Sequence, residues 1–187
     1  MKTFLRAIVV SILTFEAQVI LKKYRPRVIA ITGSVGKTTA KDAIHAALGG
    51  GPDIRKNEKS LNSEIGVPLT IIGAASAWGS ATGWMRIIMK GFGLMFWKKA
   101  YPKTLIMETG ADHPGDIQSI ARWLMPDVAV LTGVAPVHIA FFDSIDAIFL
   151  EKKQLAKHLR AGGCLVLNAD DERVRTLLKT SDNVIPY

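Results

Sequence analysis

The chain has 187 residues, 49% hydrophobic and 21% charged, so it can bury a real core and is not a disordered tail. Its 24 Lys and Arg against 16 Asp and Glu give a net charge of +8, which favours anionic partners such as nucleotides or a membrane surface. A single cysteine, Cys164, excludes an internal disulfide framework and fits a reducing compartment, and no Cys/His set has zinc-ligand spacing.

Residues 4–21 are mostly apolar, but Arg6 and Glu16 interrupt them. The uncharged run 7–15 falls well short of the ~20 residues that a bilayer span needs. Thr14-Phe15-Glu16 is a poor signal-peptide cleavage site. Residues 1–24 therefore read as a helix that packs on protein or lies on a membrane, with a short anchor as the rival. Arg27-Val28-Ile29-Ala30-Ile31 reads as a buried strand. A tight glycine loop follows, and then a helix from 37 to 48 stopped by Gly49-Gly50-Gly51.

No Asp or Glu occurs between Glu64 and Glu108. Inside that gap, residues 84–99 mix aliphatic side chains with Trp84, Trp97, Arg86, Lys90, Lys98 and Lys99, and Trp78 lies just before them. Such a mixture suits a lipid interface, and a core or partner-facing helix in an insertion at about 74–102 suits it equally. Gly91 and Gly93 are expected to weaken a single continuous helix there.

The runs 105–107 and 128–131 read as strands, and between them Pro114-Gly115-Asp116 opens a helix that Pro126 follows. Ser144 can cap a helix running to about 160, with Gly162-Gly163 as its stop and a strand at 164–167. Asp170 and Asp171 after that strand read as loop and cap residues. Strands alternating with helices predict an α/β domain, a mainly parallel sheet with helices on both faces. Ligands in such sheets sit at the carboxyl ends of the strands.

Thr32-Gly33-Ser34-Val35-Gly36-Lys37-Thr38-Thr39 follows a strand and opens a helix, which is the context of a phosphate loop. Residues Gly33, Ser34, Val35, Gly36, Lys37, Thr38 and Thr39 are the expected ATP-binding set. Lys37 would reach the β- and γ-phosphates, and the Thr38 hydroxyl would bind Mg²⁺. The common loop begins with a glycine where this chain has Ile31, so the pattern is the shorter TGxxGKT.

Ile145, Ile148, Phe149, Leu155, Ala156 and Leu159 share one face of the helix after Ser144, and Lys152 falls in its middle, while Lys153 and Lys157 lie at its edge or beyond. Lys152 must therefore snorkel or be desolvated. Taken alone, His138 and Glu108 read as ordinary loop and strand-end residues, and Asn62 and Ser63 equally as turn residues or as contacts to an acyl substrate or phosphate.

Several ordered segments together carry a family resemblance. TGSVGKTT resembles the ATP loop of the Mur ligases, the ATP-dependent amide ligases that build the peptidoglycan stem peptide. Asn62-Ser63-Glu64-Ile65-Gly66-Val67-Pro68-Leu69-Thr70 is similar to a segment of the branch that adds D-alanyl-D-alanine. Residues 108–117, Glu151-Lys152 and Asn168-Ala169-Asp170-Asp171 are similar to later family segments, and His138 stands where the family has a histidine. The resemblance covers about residues 26–174.

It implies a P-loop NTPase-like central domain over residues 25–187, incomplete at its C-terminal side, with residues 1–24 in place of the family's first domain. The implied chemistry is activation of a UDP-muramoyl-peptide carboxylate by ATP, for attack by an amine such as D-alanyl-D-alanine. Lys37, Glu108, His138 and Lys152 are the implied catalytic residues. Thr38, Glu108, His138 and a carbamylated Lys152 are the implied ligands of Mg²⁺ ions, two in number, with Asn62 and Ser63 at the substrate. The implied location is cytoplasmic, and the basic, aromatic-flanked apolar stretches at 1–24 and 84–99 add an expected peripheral contact at the inner face of the cell membrane. Other amide ligases of the superfamily, similar to folylpolyglutamate or cyanophycin synthetases, and a membrane-associated P-loop ATPase without ligase activity are the rival readings. No nucleic-acid recognition motif is present, and the basic residues are mixed with aliphatic ones, so no nucleic-acid partner is expected.

Overall fold

A computed structural model describes residues 2–58, 61–77, 79–137, 141–180 and 183–187, and the side chains from residue 6 onward. Trp78 and His138 lie outside the described residues. The strands are β1 (Arg27–Thr32), β2 (Ile54–Lys56), β3 (Thr104–Glu108), β4 (Val128–Leu131), β5 (Cys164–Leu167) and β6 (Val184–Pro186). They form a parallel sheet in the order β2-β3-β1-β4-β5-β6. After β1 the chain builds one side of the sheet with β2 and β3, then crosses to the other side with β4, β5 and β6. That reversal opens a crevice at the carboxyl end of β1.

The central strands are apolar on both sides because both faces are covered. Ile29, Ile31, Ile106 and Val130 pack under Ala40 and Ile44 of α2 (Lys37–Ala47). Val28, Ala30, Leu105, Met107, Ala129 and Leu131 face the larger core. That core is completed by α3 (Gly66–Ile72), α5 (Asp116–Leu124) and α6 (Ile145–Lys157). The short α7 (Glu172–Arg175) and a 3-10 turn at Thr176–Lys179 add Val174 and Leu177. The Ser144 hydroxyl accepts the Ala147 N–H at the start of α6, and Asp171 caps α7 by accepting from Arg173 and Val174. Both are caps that the sequence predicts.

Helix α1 (Lys2–Tyr24) packs on α3 and on α4 (Ala81–Phe96). Leu13, Ala17 and Ile20, at i, i+4 and i+7, bury their side chains there. The helix thus packs on protein, one of the two placements that its sequence allows, and no described helix is long and apolar enough to cross a membrane. Helix α4 differs from expectation, because it runs unbroken through Gly91 and Gly93. The reason at Gly91 is close packing: a Cβ there would lie 2.1 Å from Oε2 of Glu16 on α1. The glycine lets the two helices approach and admits the Glu16 carboxyl, and this tertiary contact overrides a poor helix propensity.

Candidate active site

The carboxyl ends of β1, β3 and β4 converge on a pocket of about 290 Å³. Gly33, Ser34 and Lys37 form one side, Asn62, Ser63 and Glu64 a second, and residues 110–113 with Lys152 a third. Arg6 of α1 reaches the rim and pairs with Glu64 at 3.1 Å.

The loop after β1 is held from β4. The Thr132 hydroxyl donates to the Val35 carbonyl at 2.6 Å. The Ser34 hydroxyl donates to the Ala135 carbonyl at 2.9 Å, and the Ser34 N–H to the Gly133 carbonyl at 2.7 Å. A Cβ on Gly33 would stand 1.9 Å from the Thr132 hydroxyl oxygen, so the loop can lie this close only with glycine there. Lys37 folds over the loop and donates to the Gly33 and Ser34 carbonyls at 2.8 and 3.3 Å. Burial lowers its pKa, against the pull of Glu108 and Asp112.

Glu108, the last residue of β3, is buried and organises the next layer. Its Oε2 accepts from the Thr38 hydroxyl at 3.0 Å and lies 3.4 Å from the Lys41 ammonium. Asn57 clamps its backbone: Oδ1 accepts the Glu108 N–H at 2.9 Å, and Nδ2 donates to the Glu108 carbonyl at 3.1 Å. A hydroxyl and a carboxylate side by side, at a helix N-terminus beside a lysine, suit an oxygen-preferring divalent cation carried by a phosphate. Among the described residues no set of three or more His, Cys, Asp or Glu is gathered for a metal.

Lys152 is 5% exposed and lines the pocket. Burial, together with the nearby Lys37 charge, pulls its pKa down to about 8, while Glu151 opposes the shift. The two residues face different ways. Glu151 accepts the N–H groups of Gly115, Ile117 and Gln118 at 2.9, 2.7 and 3.2 Å, capping α5. Lys153 is partly exposed and Lys157 exposed, so the helical periodicity chose the right lysine.

The Mur ligase middle domain family matches residues 92–186, half of the chain. The chain belongs to this family. The match begins within α4 and runs to the end of β6, so the phosphate loop lies outside it. Over 158 residues, 83% of the chain, it is 29% identical to a UDP-N-acetylmuramoyl-tripeptide–D-alanyl-D-alanine ligase of Bacillus subtilis, and covers 29% of that protein. It is 30% identical over 152 residues, 81% of the chain, to the ligase of the same name in Mycobacterium bovis, covering 25% of it. The crystal structure of the MurF ligase from Thermotoga maritima in complex with ADP superposes with a TM-score of 0.74 at 28% identity. That superposition covers 95% of the chain and 36% of the solved one. The chain thus spans about a quarter to a third of the length of these Mur ligases.

Of the residues singled out in the sequence, Gly33, Ser34, Lys37, Asn62, Ser63 and Lys152 line one pocket, with Thr38 and Glu108 paired beside it. Val35, Gly36 and Thr39 follow the loop into α2, and Val35 contributes its carbonyl to the Thr132 contact. His138 lies outside the described residues. Sequence reasoning missed Lys41, Asn57, Thr132 and the capping role of Glu151. Lys41 had a signal, since it lies one helical turn after Lys37 on α2. Asn57 and Thr132 reach the site only through tertiary approach, which no local pattern announces.

Proposed function

We propose that the chain is the nucleotide-binding centre of an ATP-dependent amide ligase acting on peptidoglycan precursors. In this reading a UDP-muramoyl-tripeptide supplies the carboxylate and D-alanyl-D-alanine the amine. The observation that carries it is the convergence of Lys37, the Thr38–Glu108 pair, Asn62, Ser63 and Lys152 around one pocket at the carboxyl ends of the strands.

The chemistry follows from the charges. A carboxylate oxygen of the acyl substrate attacks the γ-phosphorus of ATP. The bond from that phosphorus to the β,γ-bridging oxygen breaks, and ADP leaves with the electron pair. The amine nitrogen then attacks the acyl carbon, phosphate departs, and the nitrogen loses a proton. Lys37 and the N–H groups at the start of α2 offset negative charge on the transferring phosphoryl group. Thr38 and Glu108 would hold Mg²⁺, with His138 and Lys152 at a second ion, and the metal when bound screens the phosphate charges. Lys41 and Asn57 fix Glu108 in place.

Lys152 suits the anionic role best as a carbamate. Its depressed pKa leaves a share of neutral amine near pH 8. The amine lone pair bonds to the carbon of CO₂, one C–O π pair moves to oxygen, and the nitrogen releases its proton to solvent. A buried cation becomes an anionic oxygen donor. In this reading Asn62 and Ser63, which line the pocket, contact the acyl substrate. The reading also puts the protein in the cytoplasm, in peripheral contact with the membrane.

The test is ADP release by the protein expressed from its complete reading frame. Release that requires both the UDP-muramoyl-tripeptide and D-alanyl-D-alanine is expected. ADP release indifferent to any amine would overturn the ligase reading in favour of a P-loop ATPase.

A further inference from the structure

Helix α4 has two unlike faces. Ile87, Gly91 and Leu94 are buried toward α1 and α3. Met85, Met89, Phe92 and Phe96, at i, i+4, i+7 and i+11, form an outward stripe that Trp97 extends. Their exposures are 61, 61, 40, 69 and 65%. The rings run into one another, with Phe92 and Phe96 stacked at 6.0 Å and Phe96 edge-on to Trp97 at 6.3 Å. A contiguous exposed apolar stripe of this kind marks a docking surface rather than ordinary surface scatter.

The charges around it are of one sign. Arg86, Lys98 and Lys99 are exposed along the helix and its end, with Lys22 exposed near the end of α1. Lys23 reaches across to the carbonyls of Leu94, Met95 and Trp97 at 2.9–3.0 Å and ties the two helix ends together. No acidic residue lies between Glu64 and Glu108. The α4 stripe includes none of the residues lining the nucleotide pocket, so docking through it leaves that pocket open.

We propose that this face of α4 seats the protein on an anionic lipid surface, with the helix lying in the interfacial plane. The stripe enters the acyl boundary, and the cations contact lipid phosphates. The inference rests on the peripheral membrane contact proposed above and names its surface and lipid chemistry. A second copy of the chain fits the stripe poorly, because it would bring the same basic border against itself. Helix α1 supports α4 from within and stays docked on protein.

The test is flotation with phosphatidylcholine vesicles, with and without phosphatidylglycerol, at low and high salt. The wild-type chain should bind the anionic vesicles and leave the neutral ones, with binding that falls as salt rises. Met89→Glu with Phe96→Glu should weaken binding at least tenfold, and Arg86→Gln with Lys98→Gln should weaken it on anionic vesicles. Leu48→Glu, at an exposed apolar site after α2, should change nothing. Equal binding by the α4 variants would overturn the surface assignment while leaving membrane contact standing. Absence of vesicle binding overturns both, and a concentration-dependent dimer that the Met89→Glu and Phe96→Glu pair abolishes overturns the surface assignment. ADP binding, measured in parallel, reports on the ligase reading separately.

Discussion

The Glu16 carboxyl is buried against Gly91, with neither of its oxygens hydrogen-bonded among the described residues. Burial raises its pKa from 4.5 to about 7. The folded state therefore holds a proton that the unfolded chain releases, so this group's contribution to stability falls as pH rises from about 4.5 through 7. The full effect is roughly 3 kcal/mol, since each tenfold change in proton affinity is worth about 1.4 kcal/mol. Glu16→Gln removes the titration. Unfolding by urea at pH 5 and pH 8 should show the variant gaining on the wild type as pH rises. A difference that does not change with pH would contradict the assignment.

Gly91→Ala tests the same contact from the other side. On an open helix, alanine would stabilise by about 1 kcal/mol. Here the added Cβ meets a buried carboxyl oxygen, so the variant should be less stable than the wild type. In a Glu16→Ala background the obstacle is gone, and Gly91→Ala should be neutral or stabilising. The coupling in this double-mutant cycle should be about 1 kcal/mol or more, and simple additivity would refute it.

Lys41 and Glu108 form a buried ion pair at 3.4 Å. Lys41→Met leaves the carboxylate facing an apolar neighbour, and should destabilise the fold by about 3 kcal/mol. Replacing both residues, as Lys41→Met with Glu108→Leu, should recover most of that loss while abolishing nucleotide-linked metal binding. Thermal unfolding of the two variants decides it, and equal melting temperatures would rule out the pairing.

The carbamate proposed for Lys152 has a direct signature. In ¹³C-labelled bicarbonate, the wild-type chain should show a carbamate resonance by NMR that Lys152→Ala lacks and Lys153→Ala keeps. A spectrum without that resonance in the wild type would leave Lys152 as a buried amine at the pocket wall.

The parts of the site built from local chain geometry are legible in the sequence alone. Strand, glycine loop and helix start place Lys37 and Thr38, and helical periodicity alone separates Lys152 from Lys153. The α4 continuity is not legible, because its glycine serves a contact with α1 some 75 residues away in sequence. Asn57 and Thr132 are hidden for the same reason: each acts on a loop or strand end that only the parallel sheet brings near. Short β2 and β6, with three residues each, carry too little pattern to announce themselves.

Titration calorimetry with Mg²⁺-ADP tests the central claim most directly, because the pocket at the end of β1 must be a phosphate site before any ligase chemistry can follow. The wild-type chain should bind, and Lys37→Ala should bind at least tenfold more weakly with its melting temperature little changed, since among the described residues the Lys37 ammonium donates to loop carbonyls. Equal affinity in the two proteins would contradict the account.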